Sequence, residues 1–290
     1  MTNENWIKDK IVMITGANSG IGKQTALELN QMGAKVIMFC RNEERAKDAM
    51  EEIISKTGND DGIEILIGDL ESQESISNAV SEFKKKHDKL HVLINNAGFM
   101  NFKKQFTAEG YEKTWAVNHL GHFILTNLLL DVIRASSPAR IINLSSHGHN
   151  FADDKPLEDM MYENKKYKHI KAYGNSKLMN LFFTFELARR LEGTGITVNA
   201  VHPGPIRSKF GRSRNNPWWY RYGYSLSYPF LKSTKTGAKT SIHIATSPEG
   251  GQFTGRYWAK VKERKSSPQS LDESLWTQLW EISEQFTKIK

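Results

Sequence analysis

The sequence predicts an α/β fold: one doubly wound domain over residues 1–290, with about seven parallel strands and helices on both faces. Three observations carry this. Short apolar runs alternate with longer helix-like segments, and strand–helix–strand alternation implies parallel pairing, because each crossover needs a helix to return the chain. The apolar runs are nearly continuous, as in strands covered on both faces. A glycine-rich turn joins the first apolar run to the first helical segment.

In chain order, Ile11–Thr15 is the first strand and Gly20–Met32 the first helix. Lys35–Phe39 and Glu43–Lys56 repeat the unit, followed by Ile63–Ile67 and Ser72–Lys86, where Ser72 is placed to cap the helix. His91–Ile94 leads to a long apolar helix over Glu109–Ile133, and Arg140–Leu144 to a polar surface loop, His147–Lys168. Lys171–Leu191 is the next helix, then strand Thr197–Val201, helix Thr236–Thr246 and strand Arg256–Ala259. Leu275, Trp276, Leu279, Trp280, Ile282 and Phe286 form one helical stripe that would pack on the sheet. Arg207–Lys232 is basic and aromatic, and its secondary structure is the least legible.

Composition excludes several classes. Of 290 residues 39% are hydrophobic, which fits neither a bulk membrane protein nor a disordered chain. The lone cysteine, Cys40, allows no intramolecular disulfide and suits a reducing, cytoplasmic setting. MTNENWIKDK has no basic start followed by an apolar run, so no secretory signal is expected. The stretch Phe123–Ile133 contains Thr126, Asn127 and Asp131 and falls short of the roughly 20 apolar residues of a membrane span. Net charge is +8, unevenly spread. Between Ile206 and Lys265 stand 13 Lys and Arg against Glu249 and Glu263, a net of +11, so the other 230 residues sum to −3.

The turn TGANSGIGK places Gly16, Gly20 and Gly22 between strand and helix. A pyrophosphate must approach backbone N–H groups at a helix start, and side chains there would block it. The spacing G-x-x-x-G-x-G fits neither a Walker loop, which needs Lys and then Ser or Thr after its last glycine, nor the common G-x-G-x-x-G fingerprint. The second strand runs into Phe39, Cys40 and Arg41, with no carboxylate for the ribose 2′-hydroxyl of NAD. Arg41 would instead pair with a 2′-phosphate, so NADP(H) is the expected cofactor. Cys40 is expected to be a small residue at the cofactor edge.

Tyr173 and Lys177 stand four apart in a helical segment and project from one face. A free Tyr, with a pKa near 10, is a poor base at neutral pH, and a nearby cation lowers that value. Ser145 and Ser146 follow a strand at the end where α/β ligands bind, placed to donate to a carbonyl. Asn118 is a polar amide in an apolar helix; a water bridge to Lys177 and a satisfied core amide are the two readings.

TGANSGIG at 15–22, NNAG at 95–98, Asn118, Ser146, YGNSK at 173–177 and Pro203–Gly204 together resemble the short-chain dehydrogenase/reductase family, over nearly the whole chain. FCRN at 39–42, VNHLGHF at 117–123, HPG at 202–204 and the C-terminal TGRYW resemble its retinol dehydrogenase-like branch. The resemblance implies a Rossmann-type fold and an NADP-dependent enzyme interconverting an alcohol and a carbonyl of a lipophilic substrate such as a retinoid, steroid, aldehyde or ketone. It implies Tyr173 as general acid/base, Lys177 lowering its pKa and holding the nicotinamide ribose, Ser146 polarising the carbonyl and Asn118 holding a relay water. It implies Gly16, Asn18, Ser19, Gly20, Ile21 and Gly22 around the pyrophosphate, Asp69 and Leu70 at the adenine, and Asn96, Ala97 and Gly98 along the adenosine ribose. Pro203, Gly204, Ile206 and Ser208 would line the nicotinamide amide. Ser208 stands where many members carry Thr, and Pro205 is less usual in that branch. Some branch members carry an N-terminal hydrophobic anchor; here the first strand begins about ten residues in, so their localisation is not carried over.

No H-E-x-x-H or C-x-x-C occurs, so no metal is expected, and His147 and His149 are read as pocket rim. Trp218 to Phe230 holds seven aromatics, flanked by Arg207, Lys209, Arg212, Arg214, Arg221 and Lys232. The resemblance makes 205–232 the variable substrate lid. A lid for a lipophilic substrate, peripheral membrane contact through 207–232 and plain packing all suit that mixture. Nucleic acid is not expected, and an oligomer is compatible with the sequence. The alternative function is an NADP-binding sensor or scaffold without turnover; its signature would be a missing Tyr or Lys, and both are present.

Overall fold

The computed structural model describes residues 4–207, 217, 218, 222 and 231–289. In chain order the elements are α1 (Glu4–Ile7), β1 (Ile11–Thr15), α2 (Gly20–Gln31), β2 (Lys35–Cys40), α3 (Glu43–Thr57), β3 (Ile63–Ile67), α4 (Gln73–Lys86) and β4 (Val92–Asn95). Then come α5 (Lys113–Trp115), a π-helical turn (Ala116–Leu120), α6 (Gly121–Arg134), β5 (Ala139–Leu144), a 3-10 turn (His147–Phe151), α7 (His169–Arg190) and β6 (Ile196–His202). The rest is α8 (Thr234–Thr246), α9 (Pro248–Gln252), β7 (Arg256–Ala259), β8 (Lys262–Arg264), a 3-10 turn (Pro268–Leu271) and α10 (Glu273–Thr287).

The eight strands form one sheet in the order β3-β2-β1-β4-β5-β6-β7-β8. The seven expected strands are parallel; the eighth, β8, is antiparallel to β7. It escapes apolar patterning because Lys262, Glu263 and Arg264 are all exposed. Lys260 and Val261, both at positive φ, make the tight turn that reverses the chain. The central strands are buried on both faces, which their unbroken apolar runs require. One layer of core joins Met13, Leu93, Ile141 and Val198 to Phe83, Phe123, Phe183 and Trp280. The other joins Val12, Ile14, Ile94 and Ile142 to Leu29, Ile53 and Ile242.

Ser72 Oγ accepts Ser75 N–H and caps α4, as its position predicts. The predicted helix over 109–133 is broken by the π turn at Asn118, which inserts one residue and lets both flanking faces stay buried. Among the described residues one helical run, Lys113–Arg134, is long and apolar enough to cross a membrane, where the sequence reading finds no span. Its most apolar stretch is 78% buried, and Phe123, Leu125 and Leu129 pack in the core against the sheet.

Candidate active site

Strand order reverses between β1 and β4, and the glycine turn, the 95–98 loop and Ser146 follow the carboxyl ends of β1, β4 and β5 around that point. Gly16 N–H donates to Phe39 O at 2.8 Å, which sets the glycine turn over the end of β2. Ser19, in extended backbone, makes no side-chain cap on α2, whereas Asn42, Ser72, Ser233 and Asp272 cap α3, α4, α8 and α10. The first-turn N–H groups of α2 therefore fit an anion. A Cβ on Gly22 would lie 2.5 Å from Gly16 O and from Asn96 Nδ2, so the close approach of turn and loop requires glycine. A dinucleotide pyrophosphate fits this donor set. Cys40 is buried beside it with its thiol pushed up to about 11 by burial, which leaves an unreactive side chain.

Thr15 Oγ1 accepts both Asn96 N–H and Ala97 N–H, each at 2.9 Å, and so fixes the 95–98 loop on β1. The same oxygen lies 2.9 Å from His122 Nε2. With both lone pairs taken, the hydroxyl donates to Nε2, so the ring proton sits on Nδ1 and is donated to Asn118 O at 3.2 Å. Burial holds the His122 pKa down at about 3, which keeps this ring neutral. The Asn118 side chain is fully engaged: Nδ2 donates to Phe99 O and Ser176 Oγ, and Oδ1 accepts Phe99 N–H, all at 2.9 Å. These contacts tie the loop after β4 to α7.

Ser145 Oγ donates to Lys177 O at 2.8 Å and is buried, which leaves Ser146 as the serine beside Tyr173. Ser146 Oγ accepts Gly148 N–H at 3.0 Å, capping the 3-10 turn. Tyr173 and Ser146 converge on Gly148, where a Cβ would lie 2.9 Å from Tyr173 Cε1 and 3.4 Å from Ser146 Oγ. Lys177 Nζ stands 5.8 Å from the Tyr173 ring centroid and donates to Leu144 O at 3.0 Å. Burial pulls the Lys177 pKa down to about 8. Gly98 is enclosed by the same groups, since a Cβ there would lie 3.1 Å from Asn118 Oδ1 and 3.2 Å from Lys177 Nζ.

Ile206 and Ile21 both press on Gly237 of α8, which brings the segment after Pro203 and Gly204 to the glycine turn. Ile206 bridges Lys232, so both ends of the predicted lid leave from one place. Ser208 and most of the 205–232 lid lie outside the described residues; Trp218 and Tyr222 are exposed. Asp69 Oδ1 accepts Glu71 N–H at 3.0 Å in the turn after β3, and Leu70 is buried beside it.

Two expectations change. The corner at Arg41 does hold a carboxylate: Glu71 Oε1 lies 2.8 Å from Arg41 Nη1, and Glu71 Oε2 lies 2.7 Å from Lys113 Nζ. His149 is not at a rim but buried, its Nε2 accepting Ser267 N–H at 3.1 Å. His122, given no role of its own by the sequence, joins β1 to the Asn118 turn. Its spacing of four residues from Asn118 was the available signal, whereas nothing local marks Glu71. Among the described residues no group of three or more His, Cys, Asp or Glu is placed to hold a metal ion.

A family model described as short chain dehydrogenase matches residues 10–156. Human retinol dehydrogenase 14 is 41% identical over 288 residues, covering 95% of this chain and 85% of that protein. Mouse retinol dehydrogenase 12 is 41% identical over 279 residues, covering 96% and 86%. Among solved structures, an uncharacterised protein of Mycobacterium paratuberculosis superposes with a TM-score of 0.77 at 29% identity, covering 98% of this chain and 95% of that one. The RhlG/NADP active-site complex of Pseudomonas aeruginosa superposes at 0.70 with 25% identity, covering 89% and 97%. The glycine turn lies inside the matched stretch, the Tyr173–Lys177 helix beyond it, and the long relatives span both; the chain belongs to the short-chain dehydrogenase/reductase family and is retinol dehydrogenase-like within it.

Proposed function

We propose that this oxidoreductase interconverts an alcohol and a carbonyl of a lipophilic substrate with NADP(H), using Tyr173 as general acid/base. The observation that carries the reading is the buried Lys177 ammonium 5.8 Å from the Tyr173 ring, with Ser146 on the same glycine as Tyr173. A bound nicotinamide would supply or take up the hydride. Tyr173 gives its phenolic proton to the carbonyl oxygen in reduction and takes it back in oxidation. The Lys177 charge favours the phenolate. Ser146 Oγ, already accepting Gly148 N–H, has its own proton free to orient toward the carbonyl oxygen. Asn118 acts by holding Phe99 and Ser176, which fixes the Gly98 loop against the Lys177 helix.

The cofactor reading rests on the uncapped start of α2, on Gly22 and on Arg41 at the end of β2. A lipophilic substrate is supported by relatives that are retinol dehydrogenases and by the seven aromatics between Trp218 and Phe230. The +11 charge of residues 206–265 and the exposed Trp218 and Tyr222 support contact of that region with an anionic lipid surface. Sedimentation with anionic vesicles should retain the protein at low salt and release it at high salt. NADPH oxidation followed by absorbance against a panel of aldehydes, ketones and retinal tests the reaction. Turnover of at least one apolar carbonyl is expected; coenzyme binding with no turnover of any would favour the sensor.

A further inference from the structure

The assignment of Arg41 to a 2′-phosphate starts from a second strand that ends without a carboxylate. The fold brings one in from the third. β2 and β3 are parallel neighbours with Cys40 opposite Ile67, so Arg41 and the turn after β3 leave the sheet side by side. Asp69 Oδ1 accepts Glu71 N–H and tightens that turn. The Glu71 carboxylate then bridges two cations, Arg41 at 2.8 Å and Lys113 at 2.7 Å. Its side chain is 18% exposed against 66% for Arg41, so the carboxylate is the enclosed partner and the guanidinium the outer one.

We propose that Glu71 is a specificity-determining residue for the coenzyme: it competes with the 2′-phosphate of NADP(H) for Arg41 and accepts a hydrogen bond from the 2′-hydroxyl of NAD(H). The proposal rests on the reading of the glycine turn and Arg41 as the dinucleotide site. A carboxylate at the 2′ corner favours a ribose hydroxyl and repels a phosphate, wherever in the chain it originates. A phosphomonoester carries about −1.5 to −2 charge at neutral pH and takes a guanidinium more strongly than a carboxylate does. Lys113 keeps one oxygen of Glu71 paired when Arg41 turns to the phosphate, so the exchange leaves no isolated anion. Coenzyme preference is then set by the Arg41–Glu71 pair and is weaker than Arg41 alone would give.

The test is fluorescence titration of the full chain with NADPH and with NADH, for wild type, Glu71→Gln, Glu71→Ala and Arg41→Ala. Both Glu71 variants should bind NADPH about three- to tenfold more tightly, the range expected for releasing an exposed ion pair and removing a like charge. NADH should bind about two- to fivefold more weakly, as one hydrogen bond to an ionised acceptor is lost. The NADPH gain should shrink in high salt, since these charges are partly exposed. A ratio of the two dissociation constants unchanged within about twofold in both Glu71 variants, or NADPH weakened, overturns the proposal. If Arg41→Ala shifts the ratio and the Glu71 variants do not, only the Glu71 role fails. If Arg41→Ala leaves the ratio alone, the phosphate reading of Arg41 fails, and wild type binding neither coenzyme sinks both.

Discussion

Replacing Lys177 with Met should stabilise the coenzyme-free protein while abolishing its activity. Lys177 is 4% exposed, and burial lowers its pKa from 10.5 to about 8. That displacement corresponds to about 3 kcal/mol against the charged form at neutral pH. Met is close in length and carries no charge to desolvate. The acceptor left behind is not orphaned, because Leu144 O also accepts Asn180 Nδ2–H at 2.9 Å. Allowing for imperfect repacking, the variant should gain about 1–3 kcal/mol at pH 7, or about 3–8 °C in Tm for a chain of this size. The pH dependence carries the sign. Between pH 8 and 10.5 the unfolded wild type binds more protons at this position than the folded one, so wild-type stability rises with pH relative to the variant. The gap should be full below pH 8 and close toward pH 10.5. Thermal melts of both proteins at pH 7, 8, 9 and 10 measure it. A variant that melts lower at pH 7, or a gap that ignores pH, would show that the buried ammonium is not a strained charge and would remove this support for its action on Tyr173.

Other consequences can be checked alongside. Tyr173→Phe should lower turnover by at least about a thousandfold, with the NADPH dissociation constant within about threefold of wild type; retained turnover would take Tyr173 out of the chemistry. Gly98→Ala should cost both Tm and activity, because the added methyl meets Asn118 Oδ1 at 3.1 Å and Lys177 Nζ at 3.2 Å; a neutral result would mean that loop and helix separate easily. The His122 pKa lies near 3 in the fold against about 6.5 unfolded, so its contribution is present above pH 6.5 and is lost as pH falls toward 3. His122→Asn, which retains a donor for Asn118 O, should reduce the slope of stability against pH in that window by up to about 1.4 kcal/mol per pH unit, read from denaturant melts at pH 4, 5 and 6.

What the sequence disclosed and what it withheld divide along a physical line. Strand positions, the glycine turn and the Ser72 cap are local consequences of patterning and backbone chemistry, and they stand where the residues place them. β8 is three exposed polar residues held only by pairing with β7, so nothing in its own composition marks it. The π turn is equally silent, because Ala116–Leu120 reads as plain helix until the packing on both sides is known. Glu71 stands 30 residues from Arg41, and only parallel pairing of β2 with β3 makes them neighbours. Features fixed by neighbouring residues were legible, and pairings supplied by topology, such as Arg41 with Glu71, were not.

His122 shows why that distinction matters for the reaction. The family model covers the half of the chain that holds the glycine turn, and the proposed proton-handling residues Tyr173 and Lys177 lie beyond it. The two halves must hold a fixed relation if hydride and proton are to move at one carbon–oxygen bond, since effective catalysis needs the reacting groups placed within a fraction of an ångström. Thr15 pins the 95–98 loop, His122 links Thr15 to the Asn118 backbone, and the Asn118 side chain reaches Ser176, next to Lys177. Each member has its donors and acceptors assigned by its neighbours, so the chain of bonds has one arrangement rather than several. A π turn, which costs regular helix bonding, is the means by which Asn118 faces both the loop and α7 at once. The irregular helix, which patterning alone reads as ordinary, is therefore where the proposed coenzyme site and the proposed proton site are joined.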